Sequence, residues 1–279
     1  MIHYKKMGYL NEDFRIFHLT DTQQREFEFH YHDFNKILIF IKGNVTYSIE
    51  GRNYQLSPYD IVLVNAGEIH KPDIMDNGEY ERIIIYVSKQ YLTRYQTDTY
   101  NLSACFDKAR IEKSNVIRSD HANRNMLISV CKKMEHTFYD TDFAHELYQD
   151  LTFLEFMICL NRAVIHDNAD YLDTSVHNEK IQQVISYIIQ CIKDGVPLTI
   201  DLIAERFYLS RYYLMHLFKE STGVSINSYI NTKRLILARE YILSGENITE
   251  TCYRCGFHNY STFSRAFKKM YGIAPRELL

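Results

Sequence analysis

The chain has 279 residues, of which 46% are hydrophobic, and its formal net charge is −3 at pH 7. This apolar content excludes a largely disordered chain, and the longest clean apolar run, ILIFI, is too short to cross a bilayer. Its six cysteines are scattered and its first residues include no apolar signal segment, so we expect a reduced, cytoplasmic protein rather than a secreted disulfide framework.

The acidic net charge conceals an asymmetry along the chain. Residues 178–279 hold 13 Lys and Arg against 9 Asp and Glu, a balance of +4. The remainder holds 19 against 26, a balance of −7. An acidic first part and a basic second part indicate two domains with different partners.

Residues 1 to about 100 have the pattern of β-strands. In KILIFIKGNVTYSIEGRNYQLSPYDIVLVNAGEIH, the apolar residues Val45, Tyr47 and Ile49 alternate with polar ones. Gly43-Asn44 and residues 51–53 supply turns between the strands. Short strands at regular spacing predict a sandwich or barrel.

Two helices are predicted at about 121–138 and 143–165. The second is apolar on two sides, one formed by Leu147, Leu151, Leu154 and Ile158 and the other by Phe153, Phe156, Met157 and Leu160. Such a helix needs cover on both sides. This helix is either buried within its own domain or packed against a second subunit. We favour a homodimer through this segment, because a small sheet domain covers only one side.

Residues 166–178, HDNADYLDTSVHN, are polar and without periodicity, so we interpret them as a linker. After this segment, the apolar residues recur at the spacing of α-helices up to the last residue. The sequence thus predicts an α+β multidomain chain, with one domain at 1–166 and an all-α domain at 178–279.

The second domain contains an internal repeat. YLMHLFKESTGVSI (213–226) precedes TFSRAFKKMYGIAP (262–275) by 49 residues, and IDLIAERFYL precedes ITETCYRCGF by 48. Each copy consists of a short helix, a turn and a helix closed by glycine, with Ser210 and Asn259 as expected N-caps. This organisation is a duplicated helix-turn-helix.

The second helix of the later copy has two chemically different faces. Phe263, Phe267 and Tyr271 recur on one stripe, whereas Arg265 and Lys268 lie between them. In a helix-turn-helix, the apolar stripe packs on the first helix and the polar face enters the DNA major groove. The connecting segment 225–244 spans roughly 30 Å as a helix, close to the ~34 Å between successive major-groove segments.

Residues 178–279 resemble the DNA-binding domain of the AraC/XylS family of transcription regulators. The resemblance is carried by Gly256-Phe257, Phe263-Ser264-Arg265, Phe267-Lys268-Lys269, Gly272 and Pro275. Thr251, Cys252 and Cys255 depart from the apolar residues usual in the family, which alters packing rather than contacts.

The resemblance implies that both second helices contact double-stranded DNA. The implied contact residues are Arg211, Tyr212, Met215, His216 and Lys219 in the first copy and Tyr260, Ser261, Thr262, Ser264, Arg265, Lys268 and Lys269 in the second. Arg265 is suited to a bidentate contact with guanine, and Lys268 and Lys269 to phosphates. Tyr212 and Met215 are limited to apolar or single hydrogen-bond contacts, so the first helix is expected to read thymine methyls or DNA shape.

Cys252 and Cys255 form a CxxC pair, which is compatible with a redox pair or half of a zinc site. No partner CxxC or HxxxH lies nearby, and both positions face the core in the repeat alignment. We therefore expect the two cysteines to serve packing.

FEFHYHDFNKILIFIKG and NAGEIH resemble the two motifs of a cupin barrel. His30, His32 and His70 match three metal-ligand positions of metal cupins, but Lys36 stands where a glutamate is expected. A lysine there disfavours a divalent metal, so we expect neither a metal nor another cofactor. In regulators with such a barrel, the domain commonly senses a small molecule, often a sugar. His30, His32, Lys36 and His70 are accordingly expected to contact an effector, with structural histidines as the alternative.

Two functions from different classes follow. The first is a dimeric, effector-responsive transcription regulator without membrane association. The sequence leaves open whether it is an activator or a repressor, and RNA polymerase is a candidate partner. The alternative is a cupin-type metalloenzyme with an appended helical domain. The duplicated helix-turn-helix favours the first, and the lysine in place of glutamate disfavours the second.

Overall fold

The computed structural model describes residues 5–6, 10, 12–22, 26–76, 78–166, 169–172 and 179–278. Its strands are β1 (Lys5–Lys6), β2 (Phe14–Asp21), β3 (His30–Tyr31), β4 (Asn35–Lys42), β5 (Val45–Ile49), β6 (Arg52–Gln55), β7 (Ile61–Val64), β8 (His70–Ile74), β9 (Tyr80–Val87), β10 (Val116–Ser119) and β11 (Ala169–Tyr171).

These strands form two sheets. One has the order β1-β3-β8-β5-β6, and the other has the order β11-β10-β7-β4-β9-β2. The β-rich first domain confirms the predicted strand pattern. The described residues form two sheets, which agrees with the predicted sandwich or barrel at the level of a β-rich domain. The closed cupin-like barrel itself stays a prediction.

Strand β4 is buried on both faces, which explains its continuous apolar run. Leu38 and Phe40 pack with Tyr47 and Val45 of the opposite sheet. Alternate residues of the strand, including Ile37 and Ile39, belong instead to the core beneath the helices. The first domain therefore has three layers, sheet on sheet on helices.

In the described part of the first domain, the helices are α1 (Lys89–Arg94), α2 (Ala104–Ile111), α3 (His121–Thr137) and α4 (His145–Ile165). The two long helices confirm the predicted pair to within two residues at each end, whereas α1, α2 and β10 were not predicted. Helix α4 buries Phe153, Phe156 and Met157 in the helical layer. Its opposite face, with Leu147 and Leu151, is exposed.

The predicted linker differs from the structure at residues 169–171. These residues form β11, which pairs with β10 and places Tyr171 opposite Ile117. The Tyr171 hydroxyl also donates to the Cys105 carbonyl, over 2.9 Å. The polar composition concealed this edge strand, which adds residues 169–171 to the sheet of the first domain. The remaining linker positions 167–168 and 173–178 lie outside the described residues.

The second domain contains α5 (Glu179–Lys193), α6 (Ile200–Arg206), α7 (Arg211–Thr222), α8 (Ile226–Leu243), α9 (Ile248–Arg254), α10 (Tyr260–Tyr271) and a final 3₁₀ turn (Pro275–Glu277). This order confirms two helix-turn-helix units, α6–α7 and α9–α10, joined by α8. Each unit has its own core, one around Leu214 and Phe218 and the other around Phe263 and Phe267.

Local capping defines where the two recognition helices begin and end. The Ser210 hydroxyl accepts from the Tyr213 amide, and the Asn259 side chain accepts from the Thr262 amide, so both expected N-caps are confirmed. Gly223 and Gly272 end the helices with φ of 75° and 80°, a conformation that favours glycine.

Cys252 and Cys255 are buried in the core of the second unit, with Phe263 and Phe267. Burial raises the pKa of both thiols, most strongly at Cys255, where it reaches about 12. Both therefore remain protonated and apolar, which confirms the expected packing role.

Candidate nucleic-acid interface and ligand site

Helix α10 presents a polar face opposite its buried aromatic stripe. Phe263 and Phe267 are fully buried against the rest of the second unit. The contact residues that the sequence predicted on this helix are exposed, with Ser264 half-buried: Tyr260, Ser261, Thr262, Ser264, Arg265, Lys268 and Lys269. The Arg265 Nε donates to the Ser261 carbonyl over 3.2 Å, which leaves the terminal guanidinium nitrogens for other acceptors.

Helix α7 has the same arrangement with different chemistry. Leu214 and Phe218 are buried, whereas the predicted contact residues are all exposed: Arg211, Tyr212, Met215, His216 and Lys219. Carboxylates accompany two of them, since Arg211 pairs with Asp201 at 2.6 Å and His216 lies 3.8 Å from Glu220. This helix offers an apolar surface of low net charge, in contrast to α10.

Three histidines of the first domain lie side by side. His30 of β3 pairs directly with His70 of β8. His32 lies two residues after His30, just beyond the end of β3. The ring centroids lie 4.3 Å apart for His30 and His70, 5.1 Å for His30 and His32, and 4.9 Å for His32 and His70. All three side chains are buried. The convergence expected from the sequence motif is therefore present.

Burial makes His30 and His70 neutral at pH 7. Burial, reinforced by the neighbouring Lys36, lowers the pKa of His30 to about 4. The same causes, with smaller effects from His30 and His32, hold the pKa of His70 well below its usual value. Neutral imidazole presents a lone pair, and this is the form that accepts hydrogen bonds or binds metals.

Lys36 joins the cluster from β4. Its Nζ donates to the Tyr47 hydroxyl over 3.0 Å, and no carboxylate among the described residues lies within ion-pair distance of it. Arg82, whose positive charge acts on Lys36, is itself paired with Asp21 at 2.7 Å. Burial, reinforced by Arg82, lowers the pKa of Lys36 to about 7.

We expect Lys36→Met to remove a pH dependence of stability. The lysine titrates at 10.5 in the unfolded chain and at about 7 in the folded one, so the unfolded state binds more protons between these values. The free energy of unfolding therefore falls as the pH is lowered from about 10.5 to about 7, and this group has no further effect below that range. Urea unfolding of the first domain at pH 7 and pH 9.5 measures the difference. The exposed Lys219→Met is the control, and an equal pH dependence in wild type and Lys36→Met would contradict the assignment.

The two domains meet at a buried carboxylate. Glu50, at the tip of the β5–β6 hairpin, accepts from the Tyr229 hydroxyl and, at 2.8 Å, from the Lys233 Nζ, both on α8. The Ile69 amide donates to the same carboxylate over 2.8 Å. Lys233 also donates to the Gly67 carbonyl over 3.0 Å. One side chain of the sheet domain thus satisfies two donors of the second domain.

Apolar residues extend this junction. Phe29, Tyr31 and Ile69 of the first domain pack into the core of the first helix-turn-helix unit. Gly223, at the end of α7, lies so close to the Phe29 ring that a Cβ there would collide with it. The histidine cluster is adjacent to this contact along both strands, because Tyr31 follows His30 and Ile69 precedes His70.

A cleft of about 340 Å³ also lies at the junction, lined in part by Arg52, Gln182, Tyr187 and Arg206. Gln182 donates to the Glu50 carbonyl over 2.8 Å. The junction residues Glu50, Gln182, Tyr229 and Lys233 were not predicted. Glu50 precedes a turn glycine and has the pattern of an exposed loop residue, and its α8 partners lie 179 and 183 positions away.

The fold and its two exposed helix faces define a transcription regulator with a ligand-binding domain. Residues 16–151 match the family model "AraC-like ligand binding domain", and residues 203–279 match "Helix-turn-helix domain". The chain belongs to the AraC family of transcription regulators. This family is non-enzymatic, so the alternative of a metalloenzyme is not supported.

Curated relatives match over most of their length. The chain is 25% identical over 261 residues to the HTH-type transcriptional activator RhaS of Salmonella paratyphi A, a match covering 91% of this chain and 88% of the relative. It is 23% identical over 256 residues, with the same coverage, to the HTH-type transcriptional activator RhaS of Escherichia coli O139:H28.

Among solved structures, ToxT from Vibrio cholerae is 16% identical, with a TM-score of 0.39, and the match covers 97% of this chain and 96% of that one. The C-terminal domain of AraT from Geobacillus stearothermophilus is 28% identical, with a TM-score of 0.34, over 36% of this chain and 84% of that one. In the described part of the chain, no helix combines the length and apolar character needed to span a membrane.

Proposed function

We propose that the chain is a dimeric transcription activator whose binding to specific double-stranded DNA responds to a small-molecule effector. The observation that carries this proposal is the junction at Glu50, which joins the ligand-binding domain to the helix between the two reading units. The names of the curated relatives support an activator. An activator acts through RNA polymerase, which is the proposed protein partner.

The two reading helices have different proposed roles. Arg265 on α10 contacts a guanine, with Lys268 and Lys269 on the adjacent phosphates. Tyr212 and Met215 on α7 contact thymine methyls or respond to DNA shape. The carboxylates of Asp201, which pairs with Arg211, and of Glu220 on α7 support this division. They offset the positive charge of α7 that would otherwise attract phosphates.

The proposed effector is a small polar metabolite, a saccharide or a related compound, that contacts His30, His32, Lys36 and His70. Histidine and lysine exchange hydrogen bonds with hydroxyl groups, and Tyr47 and Tyr86 nearby offer ring faces for C–H groups. A ligand shifts the protein between domain arrangements by its difference in affinity for them. A tenfold change in DNA affinity requires a coupling free energy of only ~1.4 kcal/mol between effector binding and DNA binding.

Substitution of Lys36 by Met or of His70 by Ala is expected to reduce the effector response while leaving effector-free DNA binding within about twofold. Both side chains are buried in the sheet domain, whereas the predicted DNA-contacting side chains belong to α7 and α10 of the other domain. The measurement is fluorescence anisotropy on a DNA site selected from a random pool by the full-length protein, with and without a panel of sugars and sugar derivatives.

His121→Ala, an exposed histidine at the start of α3, is the matched control and should respond as wild type does. The proposal of a regulator fails if no sequence is enriched from the random pool. The effector assignment fails if both cluster variants retain the full wild-type response to an active metabolite.

Self-association is proposed through the exposed face of α4. Leu147 and Leu151 are 59% and 55% exposed, and Ile158 extends the same stripe. Leu154, expected on this face, is half-buried and packs against the core instead, so it is the weaker test residue. A contiguous apolar stripe on a helix that is buried on its other side is typical of a subunit interface.

We expect Leu151→Glu to convert the dimer into a monomer, because the interface would enclose a carboxylate without a partner, at a cost of several kcal/mol. Light scattering at tens of micromolar protein measures the mass. Leu243→Glu, which changes a similarly exposed leucine at the end of α8, should leave the mass unchanged. A wild type that is folded and monomeric at that concentration would refute the interface.

A further inference from the structure

The histidine cluster has the geometry of a metal site. One ring nitrogen from each of His30, His32 and His70 lies within 4.8 Å of the other two. In the described part of the chain, these three histidines are the cluster of possible metal ligands whose ligand atoms lie close enough together to hold one ion. All three are buried, so bulk water competes little for the site.

Backbone hydrogen bonds orient two of the rings. The Nδ1 of His30 lies 2.8 Å from the Glu28 carbonyl oxygen, and the Nδ1 of His70 lies 3.0 Å from the Glu68 carbonyl oxygen. A carbonyl oxygen only accepts, so Nδ1 carries the proton in both rings and Nε2 carries the lone pair. Metal-binding histidines in proteins are held in this way by a second hydrogen bond on the far nitrogen.

The Nε2 of His70 has no hydrogen-bond partner among the described residues, although the side chain is completely buried. A buried polar atom without a partner costs free energy, so native proteins satisfy nearly all such atoms. Because Nδ1 bonds the Glu68 carbonyl, Nε2 is the nitrogen of His70 that is available to a ligand, and a ring nitrogen of His70 lies within 4.8 Å of one from each of the other two imidazoles. A cation bound by the three rings would satisfy it.

We propose that His30, His32 and His70 together bind one divalent transition-metal ion of the zinc type. Imidazole is a preferred ligand of Zn²⁺ and of the neighbouring first-row ions, and three protein ligands leave a coordination position open. That open position suits an oxygen donor of a bound metabolite. The inference therefore names a ligand of the proposed effector site and rests on that site.

Lys36 was expected to exclude a metal, and the geometry revises this expectation. Its Nζ is engaged with the Tyr47 hydroxyl. This hydrogen bond holds the Lys36 amine at Tyr47, and the three imidazoles supply the ligand nitrogens without it. Lysine supplies no anionic ligand at the position where a metal cupin has glutamate, so the site consists of the three imidazole nitrogens.

Cobalt and zinc binding test the proposal. Full-length protein is freed of metal with a chelator and titrated with Co²⁺, whose visible absorption reports its ligands, and then with Zn²⁺. We expect one equivalent of ion in the wild type and in His121→Ala. His70→Ala should weaken binding by at least about 100-fold, since loss of outer partners alone costs 10–100-fold. Absence of stoichiometric binding, or unchanged binding by His70→Ala, would overturn the proposal.

X-ray absorption on the zinc-loaded wild type decides the case even if the variant fails to fold. Three imidazole nitrogens at about 2.0–2.1 Å support the site, and sulfur ligands at about 2.3 Å, from the free cysteines, refute it. These readouts need neither DNA nor an effector. Metal binding without any metabolite response contradicts the proposed effector alone, and a metabolite response in protein that binds no metal contradicts this inference alone.

Discussion

Substitution of Glu50 by alanine is expected to separate the two domains. Glu50 and Lys233 have side chains only 9% and 14% exposed, so removal of the carboxylate leaves a buried ammonium without its partner. Breaking a buried pair in this way costs about 3–5 kcal/mol. The Tyr229 hydroxyl and the Ile69 amide lose their acceptor as well. Small-angle X-ray scattering should therefore show a larger radius of gyration for the variant.

Lys89→Ala is the matched control for this result. Lys89 also joins the two domains, through Glu240 at 2.7 Å, but both side chains are about half exposed. Exposed ion pairs contribute about 0–1 kcal/mol, so this variant should scatter as wild type does. An unchanged radius for Glu50→Ala would show that the apolar contacts of Phe29, Tyr31 and Ile69 hold the junction alone.

Replacement of Arg265 by alanine is expected to relax sequence preference at one base pair, with a loss of about 1–3 kcal/mol of discrimination. The physical reason is the loss of the two parallel hydrogen bonds to guanine that we propose for the exposed Arg265 guanidinium on α10. Selection of binding sites from random DNA, repeated with the variant, locates the position. A variant that enriches the wild-type sequence without change would contradict the assignment.

Lys268→Ala separates base reading from phosphate contact. Lys268 lies in the last turn of the same helix and is exposed. Its loss should weaken binding to all sequences about equally and reduce the slope of log affinity against log salt by about one unit. The two variants on one helix therefore test affinity and specificity independently.

Local sequence patterns were sufficient to predict the helices of the second domain and their ends. The caps Ser210 and Asn259, the terminal glycines Gly223 and Gly272, and helix α8 between them agree with the sequence prediction. Helix propensity, capping and the 3.6-residue period act over a few residues, so one segment contains the information that determines it. The exposed positions of the predicted DNA-contacting residues followed from the same periodicity.

The first domain was predictable in kind but not in detail. The convergence of His30, His32 and His70 was predicted from two motifs, whereas the register that pairs His30 with His70 required the structure. Strand β11 was missed because an edge strand with polar residues has no periodicity of its own. Its existence depends on the partner strand β10 and on the Tyr171 hydroxyl reaching a distant carbonyl.

The sequence by itself determined the two-domain organisation, the duplicated reading helices and the identity of the clustered histidines, because each depends on residues within one short segment. The tertiary structure alone decided the strand order of the two sheets, which side of α4 is covered, and that Glu50 joins the domains. These features depend on contacts between residues far apart in the chain. A single carboxylate at a hairpin tip has no local signal for its partners, since burial and charge pairing arise only when the two domains pack together.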